Sequence, residues 1–115
     1  MPYLKLTTNA PALNDKRPAL LRDLSKRVAQ ETGKPERYVM VELVPNADML
    51  FGGSDEVLAY LECKSIGLNS RQAKTLSAAI SQILTAELQV AADRIYIEFT
   101  SCPAEFWGWN GTTFG

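Results

Sequence analysis

The chain repeats itself, and that repetition restricts its fold more than any other feature. Leu13-Asn14-Asp15-Lys16-Arg17 returns as Leu68-Asn69-Ser70-Arg71-Gln72, each time opening a helical stretch. Tyr3-Leu4 returns as Tyr60-Leu61 in a strand-like run before that motif, and Glu36-Arg37-Tyr38-Val39 returns as Asp93-Arg94-Ile95-Tyr96 where a strand begins after the helix. Three matches in the same order at nearly constant offset indicate an internal duplication, with halves of about 1–57 and 58–115 inside a single domain spanning 1–115.

Within each half the pattern reads strand, helix, strand. The first helix is expected to use Asn14 or Asp15 as its cap and to carry Pro18 in its first turn, where a missing N–H costs nothing. Leu20, Leu21, Leu24 and Val28 recur at helical spacing and should face the core; Gly33 ends the helix and Pro35 prevents its resumption. The second helix is expected from about Ser70 to Leu88, with Leu76, Ala79, Ile80, Ile83 and Leu84 as its buried stripe. Strands are expected at Tyr3–Thr8, Tyr38–Val44, Leu58–Ser65 and Ile95–Thr100, which are rich in β-branched and aromatic residues. The fold class that follows is α+β: duplicated β-α-β units forming a four-stranded sheet with two helices on one face. The uncovered sheet face would need a partner for its apolar residues, so oligomerisation is expected.

Composition removes several function classes. With 115 residues and 46% hydrophobic content the chain can build a core, and its formal charge of −1 offers no case for nucleic acid or an anionic membrane surface. Apolar runs such as Val39-Met40-Val41 are far too short to span a membrane, and no secretory leader is expected from the start of the chain. A cytoplasmic protein, or one exported by a non-classical route, is the expectation. There is no His, which removes Ser-His and Cys-His nucleophile pairs and the commonest metal ligand; no metal and no cofactor are expected. Cys63 and Cys102 are too far apart for a CxxC pair and are expected to be buried structural thiols. Acid–base chemistry is thus left to carboxylates, Lys, Tyr or a terminal amine.

Pro2 supplies such an amine. A small second residue favours removal of Met1, which would leave a secondary amine at the head of the apolar strand Tyr3-Leu4-Lys5-Leu6. Apolar surroundings disfavour its charged form, so its pKa falls and it can act as a base. Alone, Met-Pro reads first as nothing more than a stiff, degradation-resistant start. Two further segments stand out. Met49-Leu50-Phe51-Gly52-Gly53-Ser54 has glycines suited to positive φ, and the tail Phe106-Trp107-Gly108-Trp109-Asn110-Gly111-Thr112-Thr113-Phe114 packs four aromatic rings around an Asn-Gly turn signal.

Together with Thr8-Asn9-Ala10-Pro11, Thr32-Gly33-Lys34-Pro35, Ser65-Ile66-Gly67, Asp93-Arg94-Ile95-Tyr96-Ile97 and Gly108-Trp109-Asn110, these segments make the whole chain resemble the macrophage migration inhibitory factor family of the tautomerase superfamily. The resemblance implies a homotrimer with active sites at subunit interfaces. It implies keto–enol tautomerisation of phenylpyruvate-like and dopachrome-like substrates, small aromatic keto acids, with Pro2 as base. Carried over by position, Lys34 and the backbone N–H of Ile66 would hold the substrate carboxylate, Lys34 also depressing the prolyl pKa. Tyr96 would come from the adjacent subunit, and Trp109 and Phe114 would wall the ring.

Two residues depart from the pattern of the best-studied animal members at the pocket: Glu98, where those members carry Asn, and Trp107, where they carry a small aliphatic residue. A carboxylate at the mouth would repel an acidic substrate, and an indole would narrow the entrance. Leu58-Ala59-Tyr60-Leu61 replaces the CxxC of some relatives, so thiol-reductase activity does not carry over. Competing with catalysis is a cytokine-like ligand of a protein receptor with a vestigial pocket. The positions that relatives use for receptor contact hold uncharged Ala12 and Asn46 here, which weakens that reading. A purely structural trimer is the third. Simpler roles are expected elsewhere: Arg94 pairing with Asp93 or a neighbouring strand, and the Glu56–Glu62 region forming a solvated edge.

Overall fold

In a computed structural model, which describes residues 1–11 and 15–115, four strands form one mixed sheet in the order β2-β1-β3-β4. They are β1 (Tyr3–Thr8), β2 (Met40–Val44), β3 (Ala59–Ile66) and β4 (Ile95–Cys102). The chain passes through α1 (Arg17–Thr32) between β1 and β2, and through α2 (Ser70–Leu88) between β3 and β4. Both strand–helix–strand passages give parallel pairs, β1 with β2 and β3 with β4, while β1 and β3 run antiparallel at the centre. That is the geometry a helical crossover demands.

Strand alternation decides the layers. Leu4, Leu6 and Thr8 of β1, and Ala59, Leu61, Cys63 and Ser65 of β3, are buried beneath the helices. They meet Leu20, Leu24 and Val28 of α1 and Leu76, Ile80 and Leu84 of α2 in one core. Leu21 and Ile83 flank that stripe half-buried. The alternate strand positions carry Tyr3, Lys5 and Thr7, Met40 and Glu42, Tyr60, Glu62 and Lys64, and Tyr96, Glu98 and Thr100 on the uncovered face. That face is mostly polar, so burial of an apolar sheet face is not a reason for this chain to associate. Glu62 belongs to the interior strand β3 and pairs with Lys64 at 3.9 Å, so only the Glu56 end of its region is solvated loop.

The helix ends differ in their chemistry. Asn69 caps α2 through a capping box, its Oδ1 accepting from Gln72 N–H at 2.8 Å while Gln72 Oε1 accepts from Asn69 N–H. α1 starts one residue later than the expected Asp15 cap allows: Lys16 is the cap and donates no side-chain bond, with Pro18 in the first turn as its ring geometry favours. Ala12, Leu13 and Asn14, the other expected cap, lie outside the described residues. Gly33 closes α1 at φ 68°, a left-handed conformation that glycine tolerates without strain. Pro35 then opens a 3-10 turn, Glu36–Tyr38, whose bonds Tyr38 N–H to Pro35 O and Val39 N–H to Glu36 O postpone β2 until Met40. Tyr38 is therefore a turn residue and not the first residue of the strand.

One helix–helix contact carries a pH signature. Burial, the hydrogen bond to Asp23 and its charge raise the Glu87 carboxyl to about 7, against a smaller opposing effect of Lys16. The folded state thus holds this proton more tightly than the unfolded chain, so the contribution to stability is full at acid pH and is lost as pH rises through about 7. Because the group is largely solvated, Glu87→Gln should stabilise the protein by only about 1 kcal/mol above neutrality, and by almost nothing in acid. Urea unfolding at both extremes checks this; an equal gain at each pH would show that charge is not the cause.

Candidate active site

The start of β1, the 3-10 turn after α1 and the C-terminal tail converge on one cavity of about 590 Å³. Pro2 lies at its base, fully buried, and its carbonyl accepts from Met40 N–H at 3.0 Å. Tyr38, Trp107, Trp109 and Phe114 supply its aromatic wall. The tail reaches there as a hairpin, β5 (Gly108–Trp109) pairing with β6 (Thr112–Thr113). Its turn residues Asn110 and Gly111 have φ of 53° and 79°, the left-handed pair that a two-residue hairpin turn requires. Trp109 and Phe114 stack at 5.5 Å, and each meets the Tyr38 ring edge-on at 5.5 and 5.8 Å. The three rings lock the tail onto the turn after α1 while leaving Trp109 49% exposed.

The electrostatics favour a neutral amine. Burial lowers the pKa of the Met1 terminal amine, and the nearby Lys34 charge lowers it further. Pro2 lies deeper than Met1, so an amine freed there would be more desolvated. Across the cavity Tyr3 donates its hydroxyl to Glu42 Oε1 at 2.6 Å, a bond that, with burial and the Glu42 and Glu62 charges, pushes the phenol up to about 12. Arg37, Glu42 and Lys64 complete the wall.

Four of the sequence-derived site residues, Pro2, Trp107, Trp109 and Phe114, thus meet in one place. Lys34 follows the α1 cap half-buried and acts on the terminal amine without lining the cavity wall. Ile66 ends β3, beside Cys102 of β4, also off the wall. Tyr96 and Glu98 belong to β4, two strands from β1. Tyr96 lines a second cavity, of about 470 Å³, with Phe51, Leu50 and Tyr60, and its ring lies 4.6 Å from that of Phe51. Glu98 accepts a hydrogen bond from the Tyr60 hydroxyl at 3.0 Å, which raises the Tyr60 pKa.

Sequence reasoning passed over Tyr38, Arg37, Lys64 and the Tyr3–Glu42 pair. Lys64 carries no local signal; it reaches the cavity because the β1–β3 register sets it opposite Tyr3. Two further assignments need correction. Arg94 does not pair with Asp93: its guanidinium donates to the carbonyls of Phe51, Ser54, Val57 and Glu56 at 3.0–3.2 Å and lies 5.3 Å from the Phe51 ring centre. The Gly52-Gly53 turn, at φ 60° and 75°, curls the loop so that these carbonyls point at one cation. Of the thiols, only Cys63 is buried, which pushes it up to about 11; Cys102 is half-exposed.

Among the described residues no helix is long and apolar enough to cross a membrane. Residues 1–115 match the family described as Macrophage migration inhibitory factor (MIF). The Macrophage migration inhibitory factor of Xenopus laevis is 38% identical, and that of Meriones unguiculatus 37% identical, with 99% of each chain covered in both cases. The crystal structure of a macrophage migration inhibitory factor homologue from Prochlorococcus marinus superposes with a TM-score of 0.92 at 40% identity, over 98% of this chain and 99% of that one. Likeness in sequence and in fold along the entire length has one consequence: the chain belongs to the macrophage migration inhibitory factor family.

Proposed function

We propose that this protein is a keto–enol tautomerase of phenylpyruvate-like or dopachrome-like small aromatic acids, with Pro2 as general base once Met1 is removed. The observation that carries this reading is the burial of Pro2 at the base of an aromatic-walled cavity, in surroundings that lower the pKa of a terminal amine. The prolyl nitrogen takes a proton from the carbon next to the substrate carbonyl. The C–H electron pair moves into the new C=C bond, and the carbonyl oxygen then takes a proton to give the enol. While Met1 is attached, that nitrogen is an amide with no basic lone pair, so processing switches the site on.

Lys34 and the Ile66 N–H bind the substrate carboxylate in this reading, and Trp109 and Phe114 hold the ring. Tyr96 and Glu98 enter the site from the next subunit of a homotrimer. The unpaired edges of β2 and β4, with the exposed apolar residues Leu50 and Phe106 and the apolar Met40 and Tyr96 of an otherwise polar sheet face, support association. The tether to Tyr60 holds Glu98 on its own sheet and moderates the repulsion expected of a carboxylate at the mouth. Asn46, exposed and uncharged, favours no receptor contact. Protein whose intact mass shows loss of Met1 should sediment as a trimer and tautomerise phenylpyruvate. A processed monomer overturns the assembly, and a processed trimer without turnover overturns the activity.

A further inference from the structure

Two cations of the Pro2 cavity have no part in that reaction. Lys64 stands across from Tyr3 in the β1–β3 register, which brings its ammonium group to the cavity wall beside the chain start. Its ion pair with Glu62 is long, at 3.9 Å, the Lys64 side chain is 49% exposed, and Glu62 itself is not part of the wall. Arg37 enters from the 3-10 turn with its guanidinium carbon 4.8 Å from the Tyr38 ring centre, and it makes no ion pair among the described residues. The cavity's own carboxylate, Glu42, is engaged by the Tyr3 hydroxyl. Positive charge is therefore in excess on a wall built mainly of aromatic rings. If a neighbouring subunit supplies Glu98, Arg37 and Lys64 balance Glu42 and Glu98 in number, so the case rests on where the two cations stand and not on net charge.

A substrate whose one carboxylate is held by Lys34 leaves Arg37 and Lys64 on the wall without an anion of their own. With Lys34 engaging the keto-acid end, the second pair of cations is free to meet a charge carried on the substrate's ring. Arg37 suits the task, since its planar fork donates two parallel hydrogen bonds to a carboxylate, and stacking on Tyr38 already holds it in place. Lys64 adds a mobile point charge.

We propose that Lys64 and Arg37 form a second anion-binding locus, so that the site prefers an aromatic 2-keto acid bearing an additional ring carboxylate to its monoanionic counterpart. This deepens the tautomerase reading, on which the placement of the keto-acid end rests. The test uses two unreactive probes, cinnamate and 4-carboxycinnamate, with binding followed by the fluorescence of Trp107 and Trp109. The dianion should bind about five- to tenfold more tightly at low salt, as expected of a partly exposed charge pair. Lys64→Met and Arg37→Met should each reduce the preference to about twofold, whereas Lys64→Arg should keep it. Equal affinities in the parent protein, or a preference unchanged in both Met variants, would overturn the proposal. Phenylpyruvate and 4-carboxyphenylpyruvate turnover, measured in parallel, separates the two readings. A binding preference without any turnover upholds the anion locus and removes the tautomerase; turnover without a binding preference does the reverse.

Discussion

Replacing Pro2 by Gly in Met1-free protein should lower phenylpyruvate tautomerase turnover by about 10²–10⁴-fold, the contribution expected of a positioned general base. Glycine keeps a terminal amine but loses the ring that fixes the nitrogen against the cavity base, and it leaves space where Pro2 is now fully buried. KM should change much less than kcat, because the carboxylate and ring contacts are made elsewhere. In the parent protein the acid limb of the pH–rate profile, where the base becomes protonated, should lie at lower pH than the pKa of an ordinary terminal amine, because burial and a nearby Lys34 charge both disfavour the protonated form. Lys34→Met should move that limb to higher pH. Retention of Met1 should abolish turnover while leaving the fold intact. Undiminished activity in the Pro2→Gly enzyme, or in protein whose mass shows Met1 still attached, would rule out the prolyl base.

Arg94→Met should destabilise the protein by about 2–3 kcal/mol, since it removes the one cation that holds four loop carbonyls. For a domain of this size that corresponds to a fall in Tm of about 10 °C. The loss is moderated in two ways: some of the carbonyls reach water, and Asn9 also braces the loop, its Nδ2 donating to Asp55 O at 2.8 Å and its Oδ1 accepting from Leu58 N–H. Arg94→Lys should recover less than half, because an ammonium group lacks the fork that reaches carbonyls in several directions. Phe51 would lose both its carbonyl anchor and its stacked cation, so the Phe51–Tyr96 contact should loosen as well. A Tm within about 2 °C of the parent would show that Asn9 and the Gly52-Gly53 turn order this loop without help.

Periodicity and punctuation carried most of the secondary structure. The β1 limits and the α2 span from Ser70 to Leu88 follow from alternating or helically spaced apolar residues, and the Gly33 cap from the one residue that adopts its φ without strain. The start of β2 was not legible, because Tyr38-Val39 has strand-like composition and only the hydrogen bonds of the preceding turn show the chain still curling. Arg94 misled for a related reason. Its sequence neighbour Asp93 is the obvious partner on paper, yet the carbonyls it binds come from a loop some forty positions upstream, assembled only when β3 and β4 pair.

The candidate site divides in the same way. Pro2 and the terminal aromatics could be named from residue type and resemblance, since an amine beside apolar surface and a cluster of rings near a turn are properties of short segments. Arg37, Tyr38, Glu42 and Lys64 could not, because they come from a turn and two different strands, and what joins them is register. Side chains on a strand alternate with period two, so a shift of one residue between β1 and β3 would turn Lys64 into the core and bring Cys63 or Ser65 to the cavity instead. Sequence by itself determined the two helices and where they stop, the four strands of the main sheet to within one or two residues at their ends, and that Pro2 heads an apolar strand. Tertiary structure alone decided which charges surround that amine, because sheet register and crossover geometry depend on long-range pairing that no local pattern encodes.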